Sequence, residues 1–437
     1  MKKLMIILGM IGILLTATPA LASTIHYDLE LQPTAGYVWS IGVDGTTLRI
    51  YDVNDLSLDF THLTTGIVTD LAFSANGTYV YLTVNNPSTN TAYVKCYTSA
   101  GFIYQSQAAL PGIACRVIVA SNGYVYATSQ DPEGMGFVDK FSAVSLTPQV
   151  SMLTQKWPQA LAEDPSSGDI LVGGAVALNS GSVGSPDLFT PIYIHNSVSL
   201  MRSGGYFAGL QHMNIVPADD YLLVENSGID IVDATYEWLM KGLSVVELTG
   251  GSVMLEIPAC PEIVRGTCYE PFYEKTFFCA FNGEQAGDTT LFYICNLDIP
   301  KVEPLDILSG RRIVKMVATP FGIDQIKLIG IDSNSNNLFE YILDANSPPT
   351  AQINPEETEG PAPYMVIWHN DSYDCDGTIV QIRADWDNTD GTWDAIYPMS
   401  LPIIEHEYMN PGVYEVEFEL MDDDGDVTYW YGSVVVN

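Results

Sequence analysis

The stretch Gly66–Thr83 reads GIVTDLAFSANGTYVYLT and predicts a β-hairpin. An apolar run precedes the turn Asn76-Gly77, and a β-rich run follows it. Asparagine and glycine both tolerate positive φ, as a tight hairpin turn requires. The pattern recurs as Gly112–Thr128, GIACRVIVASNGYVYAT, with its turn at Asn122-Gly123. The two turn glycines lie 46 residues apart (123 minus 77), which indicates an internal repeat and makes the repeat the basis of the architecture.

Turn signals followed by short β-rich runs continue on both sides of these two copies. They fall near Gly36, Gly77, Gly123, Gly168, Asp220, Lys275 and Asp324. Short strands at this spacing, with almost no helical periodicity, indicate an all-β repeat array. Four strands per unit of about 40–50 residues is the size of a propeller blade. Residues 23–345 are therefore predicted to form a seven-bladed β-propeller, with 25–31 completing the last blade and closing the ring.

The repeats resemble the YVTN/NHL-like propellers. The features that carry this resemblance are an apolar strand, Ser-x-Asn-Gly and then a Tyr-Val-Tyr run, as in Ser74–Thr83 and Ser121–Thr128. The five other copies depart from this pattern at the turn. The resemblance implies a rigid ring of blades, and the number of blades rests on the spacing of the copies.

Residues 346–437 carry a different set of motifs, beginning after the proline-rich break Asn346-Ser-Pro-Pro349. They are Asp371-Ser-Tyr-Asp-Cys-Asp-Gly, Trp386-Asp-Asn-Thr-Asp-Gly391, His406-Glu-Tyr408 and the strand Gly412–Asp422. In this order they resemble a polycystic-kidney-disease (PKD) domain, which implies an immunoglobulin-like β-sandwich. The middle motif departs from the family's usual Trp-Asp-Phe-Gly-Asp-Gly. Trp386 is predicted to fill the core between the two sheets.

The first residues predict export. Lys2 and Lys3 precede an apolar run, and Ala20-Leu21-Ala22 ends it, so residues 1–22 read as a secretory signal peptide cleaved after Ala22. An uncleaved anchor is the alternative, although the run is shorter than the roughly 20 residues that a span needs. No membrane span is predicted after cleavage. The expected destination is the extracellular space or cell surface, with the periplasm as an alternative.

The charge of the chain excludes one class of partner. The chain holds 17 basic and 53 acidic residues, a formal net charge of −36. Such a field repels nucleic acid and anionic lipid and favours cations. Solubility or adaptation to salt are alternative explanations of the acidity. An even spread of acidic residues would favour adaptation to salt, but 19 of the 53 lie in the last 91 residues.

An acidic cluster in the last domain is a candidate Ca²⁺ site. In an immunoglobulin-like sandwich, the loops after the second and sixth strands emerge at one end. The carboxylates expected there are Asp371, Asp374, Asp376, Asp422, Asp423 and Asp424. Ca²⁺ takes six to eight oxygen ligands from flexible loops, but solvated turns are the alternative because Asp-Gly is also ordinary turn chemistry. A second group, Asp385, Asp387, Asp390 and Asp394, is expected at the other end.

The seven cysteines suit an oxidising compartment but leave one unpaired. Three pairings are compatible with the sequence, namely Cys96–Cys115, Cys260–Cys268 and Cys279–Cys295. Cys375 is then the unpaired one.

Hydrolytic chemistry has little support in the sequence. None of the six histidines lies at metal-ligand spacing or beside a nucleophile motif. The predicted function is therefore an exported, non-catalytic protein that presents propeller and sandwich surfaces to a protein or carbohydrate ligand. The alternative is a propeller enzyme of the lactonase or lyase type, which needs carboxylates or arginine converging on the channel; no acidic or histidine residue is found to recur at equivalent blade positions.

Overall fold

The structure is a computed structural model. It describes residues 26–437 except 43, 175–191, 207–211, 227–241, 249–252, 257–262, 282–288, 296, 298–300, 336, 347, 375–376, 388–390 and 399–400. The predicted signal peptide, residues 1–22, lies outside the described residues. The chain forms two compact units, the first of Met1–Phe321 with Lys327–Ile342 and the second of Gly322–Ile326 with Leu343–Asn437.

The described part of the first unit is all-β, with one short 3-10 turn at Ala100–Phe102. Its strands are β1 (His26–Gln32), β2 (Tyr37–Gly42), β3 (Thr47–Asp52), β4 (Leu58–Leu63), β5 (Ile67–Phe73), β6 (Tyr79–Asn86), β7 (Thr91–Thr98), β8 (Tyr104–Leu110), β9 (Ile113–Val119), β10 (Val125–Gln130), β11 (Gly136–Phe141), β12 (Pro148–Thr154), β13 (Pro158–Glu163), β14 (Ile170–Gly174), β15 (Ile192–His195), β16 (Arg202–Tyr206), β17 (His212–Ala218), β18 (Tyr221–Asn226), β19 (Gly242–Glu247), β20 (Val253–Glu256), β21 (Ile263–Glu270), β22 (Lys275–Phe281), β23 (Thr289–Cys295), β24 (Lys301–Leu308), β25 (Ile313–Phe321), β26 (Gln325–Asp332) and β27 (Asn337–Asp344).

These strands form sheets in strict chain order. Among the described residues, six sheets have four strands each (β1–β4, β5–β8, β9–β12, β13–β16, β17–β20 and β21–β24), and β25–β27 form a three-stranded sheet. The first strand of each sheet contacts the first strand of the next, and β25 contacts both β21 and β1. Sheets arranged in such a cycle are those of a β-propeller.

The two clearest repeats form the hairpins that their sequences predict. β5 pairs antiparallel with β6, and β9 with β10. Gly77 and Gly123 sit in the two turns with φ of 67° and 80°, a conformation that glycine adopts without steric cost. Asn76 completes the first turn, since its side-chain oxygen accepts the backbone N–H of Thr78 at 3.1 Å.

The closure of the ring differs from the prediction. Residues 25–31 were expected to complete the last blade, but β1 is the first strand of its own sheet, β1–β4. The reason is that β1 forms an antiparallel hairpin with the next strand, β2, and pairs with it from His26 to Gln32. The first and last sheets are therefore joined by side-by-side packing of β1 and β25.

A β-bulge interrupts the first strand of the sheets at corresponding places. The register shifts between His26 and Asp28 in β1 and between Val68 and Asp70 in β5. A similar shift occurs in β9, opposite the segment of β10 from Ala127 to Ser129. Further shifts occur in the pairing of β13, β17 and β21. A bulge changes the direction in which the side chains beside it point. The first strands, which face one another around the ring, therefore present some residues that a regular strand would turn to its other face.

The second unit adds eight strands among its described residues. They are β28 (Ile353–Pro355), β29 (Glu359–Gly360), β30 (Tyr364–Asn370), β31 (Ile379–Asp385), β32 (Ala395–Tyr397), β33 (Ile403–Tyr408), β34 (Gly412–Asp422) and β35 (Val427–Val436). They form a three-stranded sheet, β28-β30-β33, and a five-stranded sheet, β29-β35-β34-β31-β32.

The two sheets of the second unit share one hydrophobic core. Val416, Phe418 and Leu420 alternate along β34 and are buried, as a strand with one buried face requires. Trp386 is 6% exposed and confirms the prediction of a core position. Its ring lies edge-on to Phe418 and stacks on His406, with centroids 5.5 and 4.4 Å away.

The predicted pairing of Cys96 with Cys115 is wrong, and so are those of Cys268 with Cys260 and of Cys279 with Cys295. Cys96 and Cys115 are both free thiols, and so are Cys268 and Cys279. Burial raises the pKa of Cys96 to about 11, so this thiol is unreactive at neutral pH. Cys260 and Cys375 lie outside the described residues.

Candidate functional site

The first strands of the sheets in the first unit surround a cavity of about 450 Å³, which we call the channel cavity. All seven of these strands contribute to its lining. Apolar side chains such as Leu71, Val117 and Met316 form part of the wall. The ionisable residues of the lining are Glu30, Asp70, Arg116, Glu163, Cys268, Tyr269 and Lys315, and Asp28 forms ion pairs with two of them, Arg116 and Lys315.

The ionisable residues of the channel cavity form a connected network. Lys315 Nζ lies 3.3 Å from Asp28 Oδ1, which joins β25 to β1. Arg116 Nη1 lies 3.5 Å from Asp70 Oδ1 and 4.0 Å from Asp28 Oδ2. Four sheets are thereby linked through charged side chains that are distant in sequence.

Backbone groups fix the orientation of the network. The Val117 N–H donates to Asp70 Oδ2 at 2.7 Å. Arg116 Nε donates to the carbonyl oxygen of Gln159, also at 2.7 Å. These bonds extend from β5 to β9 and from β9 to β13, so Asp70 and Arg116 are each oriented by the sheet beside their own.

The proton affinities of the carboxyl groups diverge because their surroundings differ. Burial alone would raise the pKa of Asp28, but Lys315 and Arg116 hold it below its ordinary value. Burial raises the pKa of Asp70 well above its ordinary value, opposed by Arg116 and assisted by the charge of Asp28. Burial also raises the pKa of Glu30 to about 7, against the attraction of Lys315. Glu30 is therefore close to half-titrated at neutral pH, while the surroundings of Asp28 favour its ionised form and those of Asp70 favour its protonated form.

A signal for this network is present in the sequence at the bulges of the first strands. Asp28 and Asp70 each directly follow the bulge in the first strand of adjacent sheets. The statement that no acidic residue recurs at equivalent blade positions is therefore wrong. Alignment of the copies on their bulges brings these two residues together, whereas alignment on the turns alone does not. The convergence that the enzyme alternative requires is present, and catalysis stays a hypothesis.

The structure brings together some of the carboxylates that were predicted to bind Ca²⁺. A Cβ added to Gly377 would lie 2.3 Å from Asp423 Oδ1 and 2.8 Å from Asp374 Oδ2, so both carboxylates crowd this glycine. Asp423 Oδ1 also accepts the Thr378 N–H at 2.6 Å. The loops after β30 and β34 therefore meet at one end of the unit.

Asp422 is the buried member of this set. It is 2% exposed, and its Oδ1 accepts the backbone N–H groups of Asp424 and Asp426 at 3.1 and 2.8 Å. Its Oδ2 is buried without a hydrogen-bond partner, a costly state for a carboxylate oxygen. Asp371 lies nearer the strand end, with Asn354 Nδ2 at 3.4 Å from its Oδ2. Asp376 lies outside the described residues.

The second acidic group is more compact. Asp385, Asp387 and Asp394 each place a carboxylate oxygen within 4.8 Å of the others. Asp394 Oδ2 accepts the Trp386 N–H at 2.9 Å, and Asp385 Oδ1 accepts the Asp387 N–H at 3.2 Å. Backbone donors therefore account for part of this grouping. Asp390 lies outside the described residues.

A surface feature that the sequence analysis did not anticipate lies on the first two sheets. Phe60, His62, Phe102 and Tyr97 form a column of nearly parallel rings, with successive centroids 6.3, 4.6 and 4.2 Å apart. Beside it, Ile103 and Tyr104 are 62% and 52% exposed, and Phe60 at the end of the column is 58% exposed. We call these six residues the edge patch.

The edge patch is anchored to the core and holds a strained residue. The Phe102 ring lies 6.0 Å from that of Trp39, which is buried. Phe102 has φ of 51°, a left-handed conformation that is rare for a bulky side chain and is found where the surroundings enforce it. Burial lowers the pKa of His62, so the column is uncharged at neutral pH.

The fold is similar to known structures of very different sequence. It matches hydrazine synthase of Kuenenia stuttgartiensis with a TM-score of 0.57 and 10% identity, over 76% of this chain and 99% of that chain. It matches a chain of a mitotic checkpoint complex with a TM-score of 0.51 and 10% identity, over 76% and 96% of the two chains. The β-propeller domain of Cps50 (Swd1) from Myceliophteria thermophila gives a TM-score of 0.49 at 10% identity, over 73% and 97%.

At this level of identity the likeness concerns the fold alone, an all-β propeller. No protein-family model matches the chain, and no curated protein does. Within the described ranges, no helix has the length and apolar character needed to cross a membrane.

Proposed function

We propose that the protein is an exported, non-catalytic binding protein whose edge patch docks a protein partner. In this proposal, residues 23–345 form a seven-bladed propeller and residues 346–437 form a PKD-like sandwich. The cycle of first-strand contacts, from β1 through to β25 and back, supports the blade count. The paired sheets around Trp386 and the order of the motifs support the sandwich.

The observation that carries the docking proposal is the exposure of the edge patch. Large apolar side chains that are exposed together mark interaction sites on monomers. Phe60, Ile103 and Tyr104 are each more than half exposed, and the column behind them is rigidly stacked. Rigid aromatic anchors lose little conformational entropy when they bind, which is why they dominate interface energies.

The composition of the patch favours a protein over a glycan. Ile103 adds a branched aliphatic surface that suits an apolar side chain, and Leu58 and Leu63 on β4 are also exposed. The net charge of −36 favours a partner surface that is apolar at its centre and basic at its rim. A carbohydrate partner is an outcome of the experiment below.

Export is proposed from the leader alone. Cleavage after Ala22 leaves a chain that begins at Ser23, three residues before β1. The secreted or cell-surface location follows from that leader, and mass spectrometry of the exported protein checks the predicted first residue.

Calcium binding at the sandwich tip is a separate part of the proposal. The buried, unpartnered Oδ2 of Asp422 and the crowding of Asp374 and Asp423 at Gly377 support it. A cation with flexible oxygen coordination would satisfy the orphaned oxygen and offset the repulsion between the carboxylates. In the proposal Ca²⁺ stabilises the tip and takes no part in chemistry.

The docking experiment measures binding of the purified protein to the cell-envelope fraction of its own source cells. The envelope is used untreated, digested with protease, or oxidised with periodate. The test variant is Phe60→Ala with Tyr104→Ala. The control is Leu153→Ala, because Leu153 is 59% exposed on β12, the outer strand of a different sheet.

Saturable binding that protease abolishes, that periodate spares and that the double variant weakens about tenfold supports the proposal. Loss after periodate with protease resistance would instead identify a glycan. Binding that is unchanged in the double variant, or is weakened equally by Leu153→Ala, would show that the edge patch is not the docking site.

A further inference from the structure

The outer strand of the first sheet, β4, offers an unpaired edge beside the edge patch. β4 ends the sheet order β1-β2-β3-β4, so among the described residues it pairs with β3 alone. Five of its six residues are exposed, and three of these are the large apolar residues Leu58, Phe60 and Leu63. An exposed edge strand presents unpaired backbone N–H and C=O groups to any extended chain that meets it.

The hydrogen bonding between β3 and β4 determines which of these backbone groups point outward. The Thr64 N–H donates to the Thr46 carbonyl oxygen at 2.8 Å, and these two residues lie opposite each other, next to the paired residues Thr47 and Leu63. In antiparallel strands, hydrogen-bonded and non-hydrogen-bonded positions alternate. Thr61 and Leu63 therefore occupy non-hydrogen-bonded positions, and their N–H and C=O groups point away from β3.

Two other outer strands carry residues that protect a sheet edge, whereas β4 lacks both types. Proline and lysine are common protections, because proline removes an N–H donor and lysine resists burial. β12 begins with Pro148, and β24 contains Lys301 and Pro304. β4 reads Leu-Asp-Phe-Thr-His-Leu, and its one acidic residue is Asp59. Its edge is therefore open to an added strand.

The charge exposed along β4 favours a basic partner. Residues 51–65, which include β4 and the segments on either side, contain three aspartates and no lysine or arginine. Asp55 and Asp59 are exposed. The cations that bond to this stretch or pair with it are buried or half-buried, namely Arg49, Lys95 and Lys327. An approaching chain therefore meets exposed carboxylates, which attract lysine and arginine.

We propose that an extended, basic segment of the protein partner adds to the outer edge of β4 as a fifth strand. The inference rests on the proposed docking function and specifies how the partner binds. The backbone of the segment bonds to the outward groups of Thr61 and Leu63. Main-chain bonds of this kind supply affinity, and the side chains beside them supply specificity.

The edge patch makes this edge selective for apolar side chains at every second position. Phe60 and His62 are two residues apart on β4, so their side chains lie on one face of the sheet, where their rings stack. An added strand places every second side chain on the same face. Aromatic and β-branched residues form favourable cross-strand pairs. The partner segment is therefore expected to carry such residues at alternate positions and basic residues at its ends.

The experiment measures binding of peptides to the purified protein by fluorescence anisotropy and hydrogen exchange. The probes are peptides of about eight residues that alternate threonine with valine, isoleucine or phenylalanine and carry lysine at both ends. Each is compared with an analogue that carries glutamate at both ends, and with one N-methylated at alternate backbone nitrogens. The variants are Thr61→Pro, which removes an outward N–H as an edge strand tolerates, and the matched control Thr61→Val, which keeps it.

At least one peptide with lysine ends is expected to bind with a Kd below about 1 mM, about tenfold more tightly than its glutamate analogue, and to slow hydrogen exchange in residues 58–64. N-methylation and Thr61→Pro should each abolish binding, and Thr61→Val should leave it unchanged. The N-methylated peptides act on the unaltered protein, so they remain informative if Thr61→Pro does not fold. Binding that survives N-methylation, no binding by any peptide, or a dimer of the protein itself that Thr61→Pro disrupts would overturn the proposal.

The envelope assay separates this inference from the docking function. If Phe60→Ala with Tyr104→Ala weakens envelope binding and Thr61→Pro does not, the edge patch docks its partner without an added strand, and the inference alone fails. Weakening by both changes, with Thr61→Val unaffected, supports both proposals. Envelope binding that neither change weakens contradicts the docking function, whereas the peptide result still decides whether β4 accepts a strand.

Discussion

Lys327 Nζ donates to the carbonyl oxygen of Val53 at 2.9 Å, which connects β26 in the last sheet of the first unit to the loop after β3 in its first sheet. The same ammonium donates to the Asn54 carbonyl at 2.7 Å and lies 2.7 Å from Glu340 Oε2. The Lys327 side chain is buried. A buried charge that is bonded to two carbonyl groups and a carboxylate is a specific latch across the ring closure.

The first prediction is that Lys327→Met destabilises the first unit by about 3 kcal/mol, because it leaves two carbonyl groups without their donor and the ring closure without its latch. Urea unfolding of the purified protein measures the change. Lys156→Met is the control, since Lys156 is exposed. A loss below about 1 kcal/mol would mean that packing of β1 on β25 closes the ring without the latch.

The second prediction compares the two Asn-Gly turns. Gly77 and Gly123 both have positive φ, so alanine is strained at either position by about 1 kcal/mol. A Cβ at position 77 would also lie 2.2 Å from the carbonyl oxygen of Pro33, whereas at position 123 nothing lies within 4 Å. Gly77→Ala should therefore lower the unfolding free energy by at least about 1 kcal/mol more than Gly123→Ala. Equal losses in thermal unfolding would contradict the close approach of Pro33.

The contrast between these turns illustrates what the sequence could predict. Asn76-Gly77 and Asn122-Gly123 specify hairpins through local backbone preferences, which are readable from a few adjacent residues. The contact of Gly77 with Pro33 depends on how two sheets meet, and no local pattern encodes it. The channel cavity is a similar case, because Asp28 and Lys315 meet only once the ring has closed.

For the candidate metal residues too, the local pattern could be predicted from the sequence and the contacts between distant residues could not. The alternation along β34 predicted which face is buried, and Asp422 continues that buried series beyond Leu420. The grouping of Asp385 with Asp394 was noted from the sequence, but its compactness depends on the backbone bonds around Trp386. The edge patch could not be predicted because Phe60 lies on β4 of the first sheet and Phe102 in the 3-10 turn between β7 and β8 of the second, and nothing in their local sequences relates them.

The third prediction concerns pH. Burial raises the folded-state pKa of Glu30 to about 7, above its ordinary 4.5. The unfolded chain therefore loses this proton first as pH rises, and the fold loses stability between about pH 4.5 and 7, with no further loss above. Glu30→Gln should remove roughly 2 kcal/mol of the difference in unfolding free energy between pH 5 and pH 8.

Urea unfolding at pH 5 and pH 8 checks this prediction, with Glu133→Gln as the control because Glu133 is exposed on the same unit. Asp70 contributes a pH dependence of the same sign, since its pKa is also raised by burial, so the Glu30 variant should keep part of the slope. An unchanged slope in Glu30→Gln would mean that Glu30 is solvated in the folded protein.

The fourth prediction separates the two acidic groups of the second unit. If Ca²⁺ binds where Asp374 and Asp423 meet, millimolar Ca²⁺ at about ten times its Kd contributes roughly 1.4 kcal/mol. Such a gain raises the Tm of a domain of this size by about 5 °C. Calorimetry of the full chain in EDTA, and then with Ca²⁺ added back, should show this shift.

Asp374→Asn with Asp423→Asn should abolish the shift, because the amides cannot replace both carboxylate ligands. Asp387→Asn with Asp394→Asn is the matched control, since these two residues belong to the compact group around Trp386. Loss of the shift in the control pair alone would move the metal to that group. Absence of any shift with Ca²⁺ would assign the tip carboxylates to solvated turns, because the bonds from Thr378 to Asp423 and from Asp424 to Asp422 then suffice to hold the loops.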